Sequence, residues 1–175
     1  KQELQRNYIN TGHLVVTRAS FDALGGVREE LVSGEDYDFS MRARQQGYRL
    51  HDNKQLRVIH HGYPTSLLQF ARRERWHGEG DYQSWRAFTG SKIAIASQLC
   101  LAAALTAAGM ALVRGNAGWL LAGLAPLTVI STLAAVTRWR PAAIADLPAV
   151  ILLAHVYFIS RAVSLFSNLA RRLAG

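Results

Sequence analysis

Cysteine is almost missing from this chain: there is one, Cys100, in 175 residues. It stands inside an apolar run, so neither an intrachain disulfide nor a Cys-based zinc site is available. A glycine-rich phosphate loop, a Ser-His-Asp arrangement and Cys/His zinc spacing are missing too, as are internal repeats and low-complexity stretches. Acids are few, 12 against 20 Lys and Arg, which leaves a formal net charge of +8. No basic face with interleaved aromatics accompanies that excess, so nucleic-acid binding is not expected. The chain opens at Lys1 in a polar segment with no signal peptide, and the expectation is a piece whose upstream part lies elsewhere.

What is present divides sharply in two. Residues 1–92 carry 14 Lys and Arg against 11 Asp and Glu, with five of the six histidines. Residues 93–175 carry 6 against 1, within a background of Ala, Leu, Ile and Val. The positive excess therefore gathers around the apolar segments, where basic residues flank membrane spans and meet anionic lipid. A first part of this size buries only about 60% of its unfolded surface. It is expected to lean on the membrane part or on upstream sequence.

Ile93–Val113 is a charge-free run long enough, at about 1.5 Å per residue, to cross a bilayer. Arg114-Gly115-Asn116 makes a turn, and Ala117–Thr137 follows as a second run in which Pro126 is expected to kink the helix. Arg138-Trp139-Arg140-Pro141 closes it with basic and interfacial residues. A third segment, Leu147–Leu169, contains His155, Ser160 and Arg161. It reads as a third membrane helix with Arg161 snorkelling, or as an amphipathic helix in the interface. The predicted helices are thus about 93–113, 117–137 and 147–169. Arg138 and Arg140 outnumber Arg114, which puts residues 1–92 on the cytoplasmic side of the cytoplasmic membrane.

Within residues 1–92, the apolar and β-branched stretches 13–17, 48–51 and 56–60 read as strands. A short helix over 19–24 should end at Gly25-Gly26. A second, over 35–46, has acids in its first turn and Arg42 and Arg44 toward its end, an order that complements the helix dipole. Thr65 or Ser66 can cap a third through about 77, with Leu68, Arg72, Arg75 and Trp76 on one face. Gly78-Glu79-Gly80-Asp81 reads as a break.

Three groups could carry chemistry. Glu35 and Asp36 are neighbours on a helix and diverge by about 100°, so they cannot flank one bond as a carboxylate pair. One of them could act alone as a general base, kept ionised by the dipole; equally, the acids could simply complete the first turn. Arg72, Arg73 and Arg75 with Trp76 suit phosphate and a stacked ring, or a basic helix on anionic headgroups. His60 and His61 would face opposite sides of a strand, so one at most could join a metal site completed by carboxylates elsewhere.

In this order the segments resemble the second half of a family 2 glycosyltransferase of the GT-A fold, over about residues 7–85. Asn10-Thr11-Gly12-His13 with Phe21-Asp22-Ala23-Leu24-Gly25-Gly26 looks like its acceptor-side strand and helix. Gly34-Glu35-Asp36-Tyr37-Asp38-Phe39, with Arg42 and Gly47-Tyr48, looks like its Glu-Asp helix. Val58-Ile59-His60-His61-Gly62 resembles the late strand ending in histidine. Arg72-Arg73-Glu74-Arg75-Trp76 resembles the Gln-x-x-Arg-Trp element of membrane-bound members, with Arg72 in place of Gln.

The resemblance implies inverting transfer from a nucleotide-sugar donor to a lipid-linked or polysaccharide acceptor. It implies Asp36 as catalytic base, Glu35 orienting it, and Arg72, Arg75, Trp76 and Gly12 on the substrates. It also implies His60 as a candidate ligand for Mg²⁺ or Mn²⁺. The family's nucleotide-binding half, with its Asp-x-Asp metal motif, has no counterpart in residues 1–33. The metal and activity are therefore expected only with that half, and Arg72 for Gln argues against processive polymerisation. The expected fold is a partial α/β GT-A-like domain over 1–92 followed by α-helical transmembrane segments over 93–175. The alternative from another class is a non-catalytic, membrane-anchored module that binds anionic lipid or a partner subunit.

Overall fold

The computed structural model describes residues 8–174 other than Asp52, Lys54 and His60, and not the side chains of Arg172 and Ala174. The chain forms two compact units, Lys1–Tyr63 and Pro64–Gly175.

In the first unit a 3₁₀ turn, Thr11–His13, is capped by Asn10, and α1 spans Arg18–Ala23 behind an N-cap at Thr17. Gly25 and Gly26 both take positive φ, 75° and 67°, which lets the chain reverse where a side chain would be strained. Helix α2 spans Glu35–Gln45 and ends at Gly47, also left-handed at φ 85°. The unit's core is small: Leu24, Phe39 and Ala43 are buried, with Leu14, Phe21, Val27 and Leu50 packed around them. Arg42 fastens it. Its guanidinium donates to the carbonyls of Leu24 and Gly26 and to the Asp38 carboxylate, joining the glycine turn to α2.

The expectation of an α/β, GT-A-like layer is overturned, because the described residues contain no strand. The backbone does extend where strands were expected, as at Leu14 (φ −82°, ψ 119°) and Thr17 (φ −69°, ψ 150°). A strand exists only through a ladder with a neighbour, and the described residues of these segments do not pair with one another. Their β-branched side chains consequently stand in the open, Val15 at 79% and Ile59 at 83% exposure. Sequence propensity set the local backbone without supplying the partner that would make it a sheet.

The second unit is helical. Ser66 caps α3, Leu67–Glu79, by accepting from the Gln69 N–H. The break expected over Gly78-Glu79-Gly80-Asp81 comes two residues into that segment: α3 runs through Gly78 and ends at Glu79, and a 3₁₀ turn, Gly80–Tyr82, follows. Helix α4 spans Trp85–Gly90. Helix α5, Lys92–Arg114, is capped by Ser91 and closed by left-handed Gly115. Helix α6, Gly118–Ala134, contains Pro126 and passes into a π turn, Ala135–Trp139. Helix α7, Leu147–Ala174, runs unbroken through Arg161.

Three helical stretches, Lys92–Arg114, Gly118–Trp139 and Ile144–Arg171, are long and apolar enough to cross a membrane. Helices α5 and α6 close on each other through small residues. A Cβ on Gly123 would lie 2.6 Å from the Ala107 Cβ and 3.2 Å from the Ala104 Cα, so their backbones approach as apolar helices do when association rests on close packing.

Candidate functional site

Gly34 enters α2 at φ 82°, ψ 18° and supplies no side-chain cap, so the first-turn N–H groups are left to the acids that follow. Asp36 Oδ1 accepts from the Tyr37 N–H at 2.7 Å. Asp38 is committed elsewhere, 2.8 Å from Arg42 Nε and 3.3 Å from an Arg28 nitrogen. Among the described residues neither Glu35 nor Asp36 enters an ion pair, and both are half-buried. The three acids therefore divide: Asp38 builds the fold, while Asp36 keeps one oxygen clear of cations.

Gly12 lies in the exposed 3₁₀ turn, where its N–H donates to Asn10 Oδ1 at 3.0 Å. The Ile9 N–H donates to Ser40 Oγ at 3.1 Å, which ties this segment to α2 through a fully buried hydroxyl. His60 falls outside the described residues. Among those described, no three His, Cys, Asp or Glu side chains come together to hold a metal ion, so the described residues do not form a cation site on their own.

On α3 the sequence-predicted face is the exposed one. Arg72 and Arg75 are exposed, Leu68 is 59% exposed, and Trp76 is 44% exposed with its ring 4.8 Å from that of His77. The opposite side is packed on α7. A Cβ on Gly78 would come within 2.8 Å of the Ser164 Cβ, and Ser164 Oγ donates to the Arg75 carbonyl at 2.7 Å. Glycine is required here by close approach, not by a turn.

The inner face of α3 carries a set of residues that motif reading missed. Arg161 of α7 reaches Glu74 and Asp81, each at 3.2 Å. Burial pushes the Asp81 carboxyl above its ordinary value, and this outweighs the downward pull of the Arg161 charge and of the Ser91 and Arg161 hydrogen bonds. Burial likewise raises the Tyr82 phenol, whose OH donates to the Arg161 carbonyl and accepts from Gln98. Glu79, buried, meets Arg171 at 2.6 Å. Glu79 and Asp81 are thus bound into the helix packing.

Beside this network opens a cleft of about 470 Å³, bordered by Arg73, Glu74 and His77 of α3, Arg138 and Trp139 after α6, and Tyr157 and Arg161 of α7. The signal for it was one charged residue in an apolar helix, Arg161, which calls for a named acidic partner. Glu74 and Asp81, seven apart on either side of Gly78, were there to supply it.

The glutamate-aspartate helix start and the arginine-tryptophan helix belong to a chain with three apolar helices, an assembly that marks a glycosyltransferase associated with membrane. The family model of glycosyl transferase family group 2 matches residues 4–165, and the chain belongs to that family. No curated protein and no solved structure matches it.

Proposed function

We propose that this chain is the acceptor-side part of a membrane-anchored, inverting glycosyltransferase that moves a sugar from a nucleotide-sugar donor to a lipid-linked or polysaccharide acceptor. The observation that carries the reading is Asp36: half-buried, without a cationic partner among the described residues, at the first turn of α2 in a chain of this family. Its carboxylate takes the proton of the acceptor hydroxyl as that oxygen bonds to the anomeric carbon and the nucleoside diphosphate leaves with the electron pair of the broken C–O bond. Glu35 orients it, and Gly12 borders the acceptor.

Arg72 and Arg75 offset charge on the departing diphosphate, and the exposed Trp76 indole offers a stacking surface. A divalent cation, Mg²⁺ or Mn²⁺, belongs to this proposal, with His60 as one ligand. The described residues do not complete its site, and no step here is routed through it. The excess of Arg138 and Arg140 over Arg114 supports an orientation in the cytoplasmic membrane with residues 1–92 on the cytoplasmic side.

Asp36→Asn in the full-length protein tests the reading. Turnover should fall by about 10²–10⁴ with donor binding retained, the range typical for loss of a general base. Unchanged turnover removes Asp36 from this role.

A further inference from the structure

The transfer chemistry proposed above makes no use of the cleft between α3, the end of α6 and α7. We propose that it binds the phosphate headgroup of an anionic membrane lipid, with Arg138 and Arg73 on the phosphate oxygens and Trp139 against the start of the acyl chains.

Charge is the first support. Arg161 is offset by two carboxylates, Glu74 and Asp81. Arg73 shares the Glu74 carboxylate with Arg161, at 3.5 Å, so three arginines border the cleft against two carboxylates. Arg138 has no carboxylate partner among the described residues, and its guanidinium stands 5.8 Å over the Tyr157 ring. The cleft therefore keeps a cationic excess that an anion complements, and a guanidinium grips phosphate oxygens in pairs.

The backbone gives the second. Helix α6 ends in the π turn Ala135–Trp139, and Arg140 next to it is left-handed at φ 43°, ψ 70°, the single non-glycine residue at positive φ among those described. Both distortions are costly, and both concentrate where a site needs side chains placed off the regular helical path. Here they set Arg138 and Trp139 on the cleft.

The third is the apolar wall. Phe70, Val150 and Leu153 also border the cleft, the last two from a helix apolar enough to span a membrane. A soluble anion gains nothing from such a wall, whereas the first methylenes of a lipid chain do. At about 470 Å³ the space falls within the roughly 300–1,000 Å³ of ordinary ligand sites.

The whole chain in neutral detergent micelles, titrated with brominated phosphatidic acid or brominated phosphatidylcholine, tests this. Bromine quenches indole on contact, and Trp139→Phe identifies the Trp139 contribution among the four tryptophans. Trp139 should be quenched at about tenfold lower mole fraction of phosphatidic acid than of phosphatidylcholine. Arg138→Gln should remove that preference and Arg138→Lys restore part of it, while Arg114→Gln, an equal loss of charge in the α5–α6 turn, leaves it intact. Far-UV circular dichroism checks that each variant is folded. Equal quenching by the two lipids, or an unaltered preference in a folded Arg138→Gln, overturns the proposal. So does reversal of the preference by millimolar inorganic phosphate, which would make the site one for soluble anions.

Discussion

The Arg161 guanidinium lies 3.2 Å from the Glu74 carboxylate, so the one arginine in the apolar stretch of α7 is answered by the one acid in the arginine-rich stretch of α3. Asp81 takes its second nitrogen at 3.2 Å, and the guanidinium covers the Tyr157 ring at 5.1 Å. Ser164 to the Arg75 carbonyl and Asn168 to the Glu79 carbonyl continue the attachment along α7. An arginine among apolar residues is expensive unless paired, and here the pairing holds the helix that carries Arg72, Arg75 and Trp76.

Removal of either partner leaves a poorly compensated buried charge, whereas removal of both does not. Glu74→Gln and Arg161→Met should each destabilise the second unit, by up to about 3–5 kcal/mol, and Asp81 should soften the first of these. The double variant should lose less than the two single losses together. Thermal melts in detergent followed by circular dichroism measure the cycle. Strict additivity would show that the contact contributes nothing.

Gly78 gives a prediction whose sign two opposing effects decide. Alanine improves helix propensity by roughly 1 kcal/mol over glycine. At this position, however, its Cβ would lie 2.8 Å from the Ser164 Cβ, between two packed helices. Overpacking of this kind costs about 1–3 kcal/mol, so Gly78→Ala should destabilise and Gly78→Val more so. Ser164→Gly, made in the Gly78→Ala background, should recover part of the loss. A stabilised Gly78→Ala would mean that α3 and α7 are farther apart than described.

Much of this was legible in the sequence, for local reasons. Gly25, Gly26 and Gly47 mark helix ends because positive φ is decided by a residue's own backbone, and Ser66 and Ser91 mark helix starts because a cap bonds within three residues. The exposed face of α3 followed from helical periodicity. The errors came from contacts distant in the chain. Residues 13–17 and 56–59 have the composition of strands, but a ladder depends on a neighbour that composition does not reveal. Gly78 resembled a turn residue because only Ser164, 86 positions later, shows why it is small. Arg161 resembled a snorkelling residue for the same reason: its partners are on another helix.

Arg42 lies in the last turn of α2, where its charge complements the helix dipole, and the structure gives it a larger part. It is 15% exposed, bonded to Asp38 at 2.8 Å and to the Gly26 carbonyl at 2.8 Å, with the Leu24 carbonyl as a third partner. Arg42→Met keeps most of the apolar stem and leaves those acceptors unsatisfied, at about 1–3 kcal/mol for each that stays buried. Hydrogen exchange at the α2 amides should accelerate by at least tenfold. Arg18→Gln, which breaks a solvent-exposed pair with Asp22, should change exchange little. Equal effects would place the Arg42 bonds in the same weak class.

Asp81 should make acid stability run opposite to that of an ordinary salt-bridged carboxylate. In the unfolded chain it titrates near 3.8, and in the folded chain burial holds it higher in spite of Arg161. Below 3.8 both states carry the proton, and the folded state's preference for the neutral acid contributes in full. As pH rises from there, the unfolded chain ionises first, so that contribution is lost progressively until the folded value has been passed. Asp81→Asn cannot ionise and provides the flat reference. Stability of the wild-type chain relative to Asp81→Asn should therefore decline with rising pH across this window and level off above it, as read from denaturation midpoints at matched ionic strength. A relative stability that rises with pH over the same window would mean that the attraction of Arg161 exceeds the cost of burial. Asp81 would then be an ordinary ionised partner in a bridge of three charges.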